Sequence, residues 1–255
     1  MPILWMVVTS LKVNAQVFTW PPTLLPDPVQ WENYPQALAV SNFGRYLVNT
    51  VILAAVVILG TLLSSCLVAY GFARLEWKGR DAVFVLVLAT MILPSQVTMI
   101  PLYVVFRQLG LIGHGYRGYL PMILPAWCGG AYYIFLMRQF FMGIPHELSD
   151  AARIDGCSDL GILWRIIVPL AKPALVAVTI FSLVGTWSDF LMPLVYIRDP
   201  EYFTISVGLA HFQGRYMTQW NQLMAAATMM VIPVLIIFAF AQKQFVQGIS
   251  ITGLK

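Results

Sequence analysis

Apolar residues in this chain come in long unbroken runs, not in the alternation of a half-buried strand or the single stripe of a surface helix. Five runs stand out, over residues 47–73, 82–106, 119–137, 173–196 and 223–240. Each approaches or exceeds the ~20 residues that a helix needs to cross the hydrocarbon core of a bilayer. A closed barrel would instead use ~10-residue alternating strands. The pattern predicts an all-α, polytopic transmembrane helix bundle with five complete spans. A shorter apolar run, residues 2–8, is too short to cross, and no basic stretch precedes it to make a signal peptide. Residues 1–11 therefore read as the outer end of a first transmembrane helix whose beginning lies ahead of this sequence.

Several spans carry breaks. Pro94 and Pro101 fall in the second, Pro121, Pro125, Gly129 and Gly130 in the third, and Pro233 in the fifth. Broken helices are tolerated in lipid where they line a cavity or pack on neighbours, so each break reads either as a cavity wall or as a packing kink. So many of them in five spans favour a transporter over a passive anchor.

Composition narrows the class. Of 255 residues, 59% are hydrophobic and 10% charged, and the mean hydropathy is +0.77. Soluble domains carry about 25% charged residues, so lipid must be the solvent for much of this surface. The basic residues stand singly or in short groups between apolar runs, which does not suit a nucleic-acid binder. Nine of the fifteen fall on one side of the predicted topology: Arg74, Lys78, Arg80, Arg138, Arg153, Arg165, Lys172, Lys243 and Lys255. The positive-inside rule makes that side cytoplasmic. Lys12, Arg45, Arg107, Arg117, Arg198 and Arg215 are left outside, and residues 12–45, rich in Pro and Trp, form an extracytoplasmic loop. Residues 46–246 make up the transmembrane domain, and 247–255 a cytoplasmic tail. Cys66, Cys128 and Cys157 show no Cys-x-x-Cys pairing, and His114, His146 and His211 lack ligand spacing. No metal is expected.

One loop, residues 143–170, is longer than the connections around it. Pro145 suits a first helical turn, with Glu147 and Asp150 near its positive end. Leu148, Ala151, Ala152 and Asp155 follow helical spacing and make a narrow face. Gly156 can adopt the left-handed conformation that ends the helix. Ser158 then offers a cap for a second short helix through Ile166, closed before Pro169. A helix with small residues on one face fits a groove on a partner; it equally fits the headgroup layer of a membrane.

Asp150-Ala151-Ala152, Gly156 and Val168-Pro169-Leu170 resemble the EAA loop of ABC importer permeases, with Asp150 in place of the leading Glu. The resemblance extends over most of the chain. It includes Leu4-Trp5-Met6, Arg45-Tyr46-Leu47, Ala69-Tyr70-Gly71-Phe72-Ala73-Arg74-Leu75, Gly79-Arg80-Asp81, Phe135-Leu136-Met137-Arg138-Gln139-Phe140-Phe141 and Thr252-Gly253. It points to the maltose-type, binding-protein-dependent subfamily. That implies a type I ABC importer transmembrane domain in a prokaryotic inner membrane, moving a carbohydrate by alternating access. It also implies three partners: two copies of a nucleotide-binding ATPase, a second related permease and an extracytoplasmic solute-binding protein. The coupling residues would be Glu147, Asp150, Ala151, Ala152, Asp155, Gly156 and Pro169.

No Gly-Lys dipeptide occurs, so the P-loop pattern is absent. The chain is expected to be a transport subunit without enzyme activity or cofactor of its own, ATP being bound by the partner. On the substrate path, Trp187 suits stacking on a sugar ring. Asp189, an acid deep in a span, should face either substrate hydroxyls or a neighbouring helix, and Asn49 is a further polar candidate. The subfamily's Trp-Asn-Asp-Phe appears as Trp187-Ser188-Asp189-Phe190. An ion-coupled secondary transporter is the alternative, and a membrane-embedded enzyme would need a catalytic grouping that the sequence does not offer.

Overall fold

The computed structural model describes residues 2–39, 42–210, 212 and 219–252, and from residue 241 onward it describes the backbone alone. His211, Arg215 and residues 253–255 lie outside the described residues. Every regular element among the described residues is a helix. In chain order these begin with α1 (Pro2–Ser10), α2 (Asn33–Ala39), α3 (Phe43–Arg74), α4 (Arg80–Ala89) and α5 (Ser95–Gln108). Next come α6 (Leu120–Trp127), α7 (Ala131–Met142), α8 (Glu147–Ile154), α9 (Asp159–Ile162) and α10 (Val168–Leu170). Last are α11 (Lys172–Ser188), α12 (Leu191–Tyr196), α13 (Ile205–Ala210) and α14 (Trp220–Thr252).

α3 is the longest uninterrupted apolar element: 32 residues without a proline, about 48 Å at 1.5 Å per residue. Elsewhere the chain breaks where its prolines and glycines dictate. Leu93, just before Pro94, is extended (φ −74, ψ 118), because a residue preceding proline is driven out of the helical region. The chain bends by 99° there, between Arg80–Ile92 and Ser95–Gln108. Pro101, by contrast, lies inside α5 without ending it. α6 and α7 are separated at Cys128–Gly130, where Gly129 has φ +89. Pro233 lies within α14. The segment expected as a cytoplasmic tail from residue 247 is helical through Thr252.

By length and composition, three stretches among the described residues can cross a membrane: Phe43–Arg74, Gly115–Met142 and Trp220–Phe240. Counting each sharply bent pair as one span raises the number to five. The expected fourth span is built as α11 and α12, parted at Asp189 and Phe190.

The chain folds as two compact units. The first comprises Met1–Leu53, Gly113–Tyr119 and Val184–Ala239. Polar side chains knit it together. Asn33 donates its amide to the carbonyls of Ser10 (2.8 Å) and Lys12 (2.9 Å), and accepts from the amide of Asn221 (2.8 Å). Asn14 accepts from the Trp220 backbone N–H at 3.0 Å, and Gln222 donates to Gln36 at 2.9 Å. These bonds tie the segment after α1 to the start of α14.

The second unit comprises Ala54–Ile112, Leu120–Leu183 and Phe240–Lys255. Its core places Ala69, Tyr70 and Ala73 of α3 against Met137 and Phe141 of α7, Ala152 of α8, and Ile162, Leu163 and Ile167 beyond it. Small residues on α3 let the other backbones come close, the usual solution where lipid offers no hydrophobic drive between helices. Trp127 donates its indole N–H to the Val56 carbonyl at 3.2 Å, and Ser64 donates to Gly60 and Ala126. Ser64 therefore joins α3 to α6.

Candidate functional site

The loop at 143–170 is two short helices set in a corner. α7 ends at Met142, and α8 begins after His146, with Pro145 just ahead of its first turn. Glu147 and Asp150 occupy that first turn, exposed. Gly156 has φ +81. Its N–H bonds the Arg153 carbonyl (3.0 Å) and that of Cys157 bonds the Ala152 carbonyl (2.9 Å). This is the paired closure of a Schellman turn, which needs a left-handed residue at its apex. Ser158 is extended, and its hydroxyl accepts the Gly161 N–H at 3.2 Å, capping α9 as its position suggests.

The second helix does not stop before Pro169. It widens into a π turn over Leu163–Ile167, closed by Val168 N–H to the Leu163 carbonyl, and continues as α10 through Leu170. A prolyl nitrogen cannot bond the carbonyl four residues back, and the wider turn accommodates that loss. Pro169, exposed, stands in the first turn of α10.

The inward face of α8 also differs from the expected one. Ser149 and Ala152 are buried, whereas Leu148, Ala151 and Asp155 are exposed. The outer surface of the corner carries bare apolar knobs, Ile154 at 87% and Leu160 at 61% exposure. The named coupling residues thus divide: Ala152 anchors the helix, Gly156 shapes the turn, and Glu147, Asp150, Ala151, Asp155 and Pro169 face out.

Three side chains that sequence reasoning treated as topology charges or motif members hold this corner. The Arg74 guanidinium, 5% exposed, donates to the carbonyls of Phe141 and Ile144 (2.5 Å each) and Pro145 (3.5 Å). It caps the C-terminal end of α7, where carbonyls lack helical partners and favour a cation. One turn earlier on α3, Tyr70 donates its hydroxyl to the Asp159 carboxylate at 3.2 Å. Arg153 bridges Asp159 (3.3 Å) and Asp150 (3.0 Å). The hydrogen bond to Asp159 pushes the Arg153 guanidinium above its usual pKa. Arg138 packs its guanidinium 4.0 Å from the centre of the Phe84 ring and donates to the Phe72 carbonyl. Among the described residues no grouping of His, Cys, Asp and Glu could hold a metal ion.

The first unit contains a cavity of about 430 Å³ lined by Ser188, Phe190, Ser206, Leu209, Met224 and Met230, among others. That size lies within the ~300–1,000 Å³ of small-molecule sites. The three residues singled out for the path do not line it. Trp187, 5% exposed, donates its indole N–H to the Met230 carbonyl at 2.9 Å. The Asp189 carboxylate accepts the Met192 N–H at 3.2 Å, and its carbonyl accepts the Ser206 hydroxyl. Asn49 donates to the carbonyls of Glu201 (2.9 Å) and Phe203 (3.1 Å). Trp187 and Asp189 set the break that leaves Ser188 and Phe190 facing the cavity, while Asn49 fixes a loop elsewhere in the unit. Polar span residues flanking a helix break were the available signal for Ser188; nothing local marks Met224 or Met230.

Residues 65–251 match the model of the family described as binding-protein-dependent transport system inner membrane component. The chain belongs to that family. Among its relatives is the arabinooligosaccharides transport system permease protein AraQ of Bacillus subtilis (strain 168), 34% identical over 100% of this chain and 90% of that protein. The sulfoquinovosyl glycerol transport system permease protein SmoH of Agrobacterium fabrum is 32% identical over 100% of this chain and 88% of its own length. A crystal structure of a bacterial ABC transporter involved in import of the acidic polysaccharide alginate superimposes with a TM-score of 0.84. It shares 27% identity and covers 96% of this chain and 90% of that one. This binding-protein-dependent permease is accordingly a multi-pass membrane transport subunit with an ABC importer transmembrane domain. Nothing in these likenesses supports the ion-coupled alternative.

Proposed function

We propose that this chain is one of two permease subunits of a carbohydrate importer, and that the corner at 143–170 is where a separate ATPase docks. The observation that carries the reading is the corner itself. A rigid Schellman turn joins two helices whose outer face shows Ile154, Leu160 and the acidic residues Glu147, Asp150 and Asp155. That is a compact apolar knob with a charged rim, suited to a groove on a partner. The carbohydrate class follows from relatives whose names denote saccharide and glycoside transport. Ser188 and Ser206, whose hydroxyl protons go to the Val184 and Asp189 carbonyls, offer acceptor oxygens to sugar hydroxyls, Phe190 offers a ring, and Trp187 and Asp189 position them. The basic loops put the corner in the cytoplasm, and a solute-binding protein delivers cargo on the other side. ATP-driven closure of the ATPase pair then biases the permease between inward-open and outward-open states.

The test is purification of the tagged chain from its native membrane, followed by uptake measurements in proteoliposomes with a panel of labelled solutes. The expected result is a co-purifying ATPase and saccharide uptake that depends on ATP. An intact chain that retains no ATPase, or a transporter that moves amino acids and no saccharide, overturns the proposal.

A further inference from the structure

We infer that Arg74 and Tyr70 are positioning residues that join the corner to α3, making α3 the rod that carries its displacement. The inference rests on the corner being the ATPase contact.

The covalent exits from the corner are poor transmitters. Toward α7 the chain passes through the non-helical residues 143–146, and toward α11 it turns by 82° between Asp159–Leu170 and Lys172–Ser188. Neither joint continues a straight helix. The sideways connection is different. Arg74 grips three carbonyls at the entrance to the corner, and Tyr70 reaches Asp159 at the start of α9. Both side chains leave the same helix one turn apart. Arg153 extends the link from Asp159 to Asp150 on α8, so both short helices are attached. Ala69 and Ala73 fill the space between these two grips, buried against Ala152, Ile162 and Phe141. The Arg74 bonds, charge-assisted and buried, resist shear because the donor, once pulled away, meets no water. α3 itself then runs 32 residues without a break. A push on α8 or α9 therefore reaches the C-terminal end of α3 through these side chains, in addition to the core that the corner shares with α7 and α11.

The experiment uses the assembled importer in proteoliposomes, carrying Arg74→Lys, Tyr70→Phe or, as control, Arg80→Lys at a site outside the link. Three quantities are read: ATPase retained per permease, ATP hydrolysed, and solute transported per ATP. Arg74→Lys and Tyr70→Phe should retain the ATPase and hydrolyse ATP while solute moved per ATP falls about fivefold, as loosened hydrogen bonds permit. Arg80→Lys should leave the ratio unchanged. Asp159→Asn added to Tyr70→Phe should lower it further, because Asp159 also holds the Arg153 pair that ties α8 to the link. A ratio equal to wild type in both link variants overturns the inference, whether the rates stay level or fall together. Should Arg74→Lys fail to assemble, Tyr70→Phe decides alone, since it removes one hydroxyl and no packing. Loss of ATPase from the unmodified chain would instead count against the docking assignment.

Discussion

Gly156 separates two reasons why a corner might need glycine: backbone conformation, or room for a partner. Its φ of +81 lies in the left-handed region, and a Cβ built there meets nothing within 4 Å. Substitution therefore acts on backbone preference without a collision inside the chain. An L residue in that conformation costs about 1–2 kcal/mol, which shifts the balance between the closed turn and opened alternatives about 5- to 30-fold. Asn tolerates the region better than Ala, and a β-branched residue suits it least. If the turn is what the partner requires, ATPase retention should fall in the order wild type, Gly156→Asn, Gly156→Ala, Gly156→Val. Hydrogen exchange at the amides of residues 156 and 157 should quicken in the same order, because those amides make the two closing bonds. Equal losses from Asn and Ala, with exchange unchanged, would refute the backbone argument and point to a contact that tolerates no side chain.

Gly208→Ala would bring a Cβ within 2.2 Å of the Tyr46 ring, which is 3% exposed. The overpacking should cost about 1–3 kcal/mol; a lowered midpoint in detergent, relieved by adding Tyr46→Ala, checks it. Ser158→Ala removes the cap on Gly161 N–H and should cost about 1 kcal/mol, seen as faster exchange across α9 with α7 unaffected. Asp199 accepts from His114 and from the Gly115 N–H, both at 2.7 Å, and the His114 bond foremost holds its carboxyl below the ordinary range. Its contribution is therefore complete above the ordinary carboxylate pKa and fades as pH falls through the depressed one. Protection of the Gly115 amide should follow that course, and Asp199→Asn should abolish the dependence.

Much of the fold was legible because its signals are local. Unbroken apolar runs announce helices in lipid, Pro94 and Gly129 mark where they break, and Gly156 and Ser158 spell out the corner residue by residue. What was not legible is decided by neighbours far along the chain. Periodicity put Leu148, Ala151, Ala152 and Asp155 on one face of α8, yet Ser149 and Ala152 are the buried side, Ala152 packing in the core that holds Ala69 and Ala73 of α3. Pro169 signalled a stop, but a π turn carries the helix through it. Arg74 looked like one of several loop cations; only the carbonyls of Phe141, Ile144 and Pro145 reveal it as a cap. Asn49 stood out only as a polar residue in a span, and its bonds to the Glu201 and Phe203 carbonyls join positions more than 150 residues apart. The cavity was least readable, since Ser188, Ser206 and Met230 meet only after folding.

The bonds from Asn33, Asn14 and Gln36 to residues 220–222 close a belt whose two ends are about 190 residues apart in sequence. Such a fastening cannot form while the ribosome is still making the middle of the protein, because the N-terminal half has nothing to fasten to. The side-chain oxygens of Asn14, Asn33 and Gln36 must wait, hydrated, until the start of α14 has been made. Truncation anywhere before Trp220 would leave this half unbuckled, and quality-control proteases would meet it in that state.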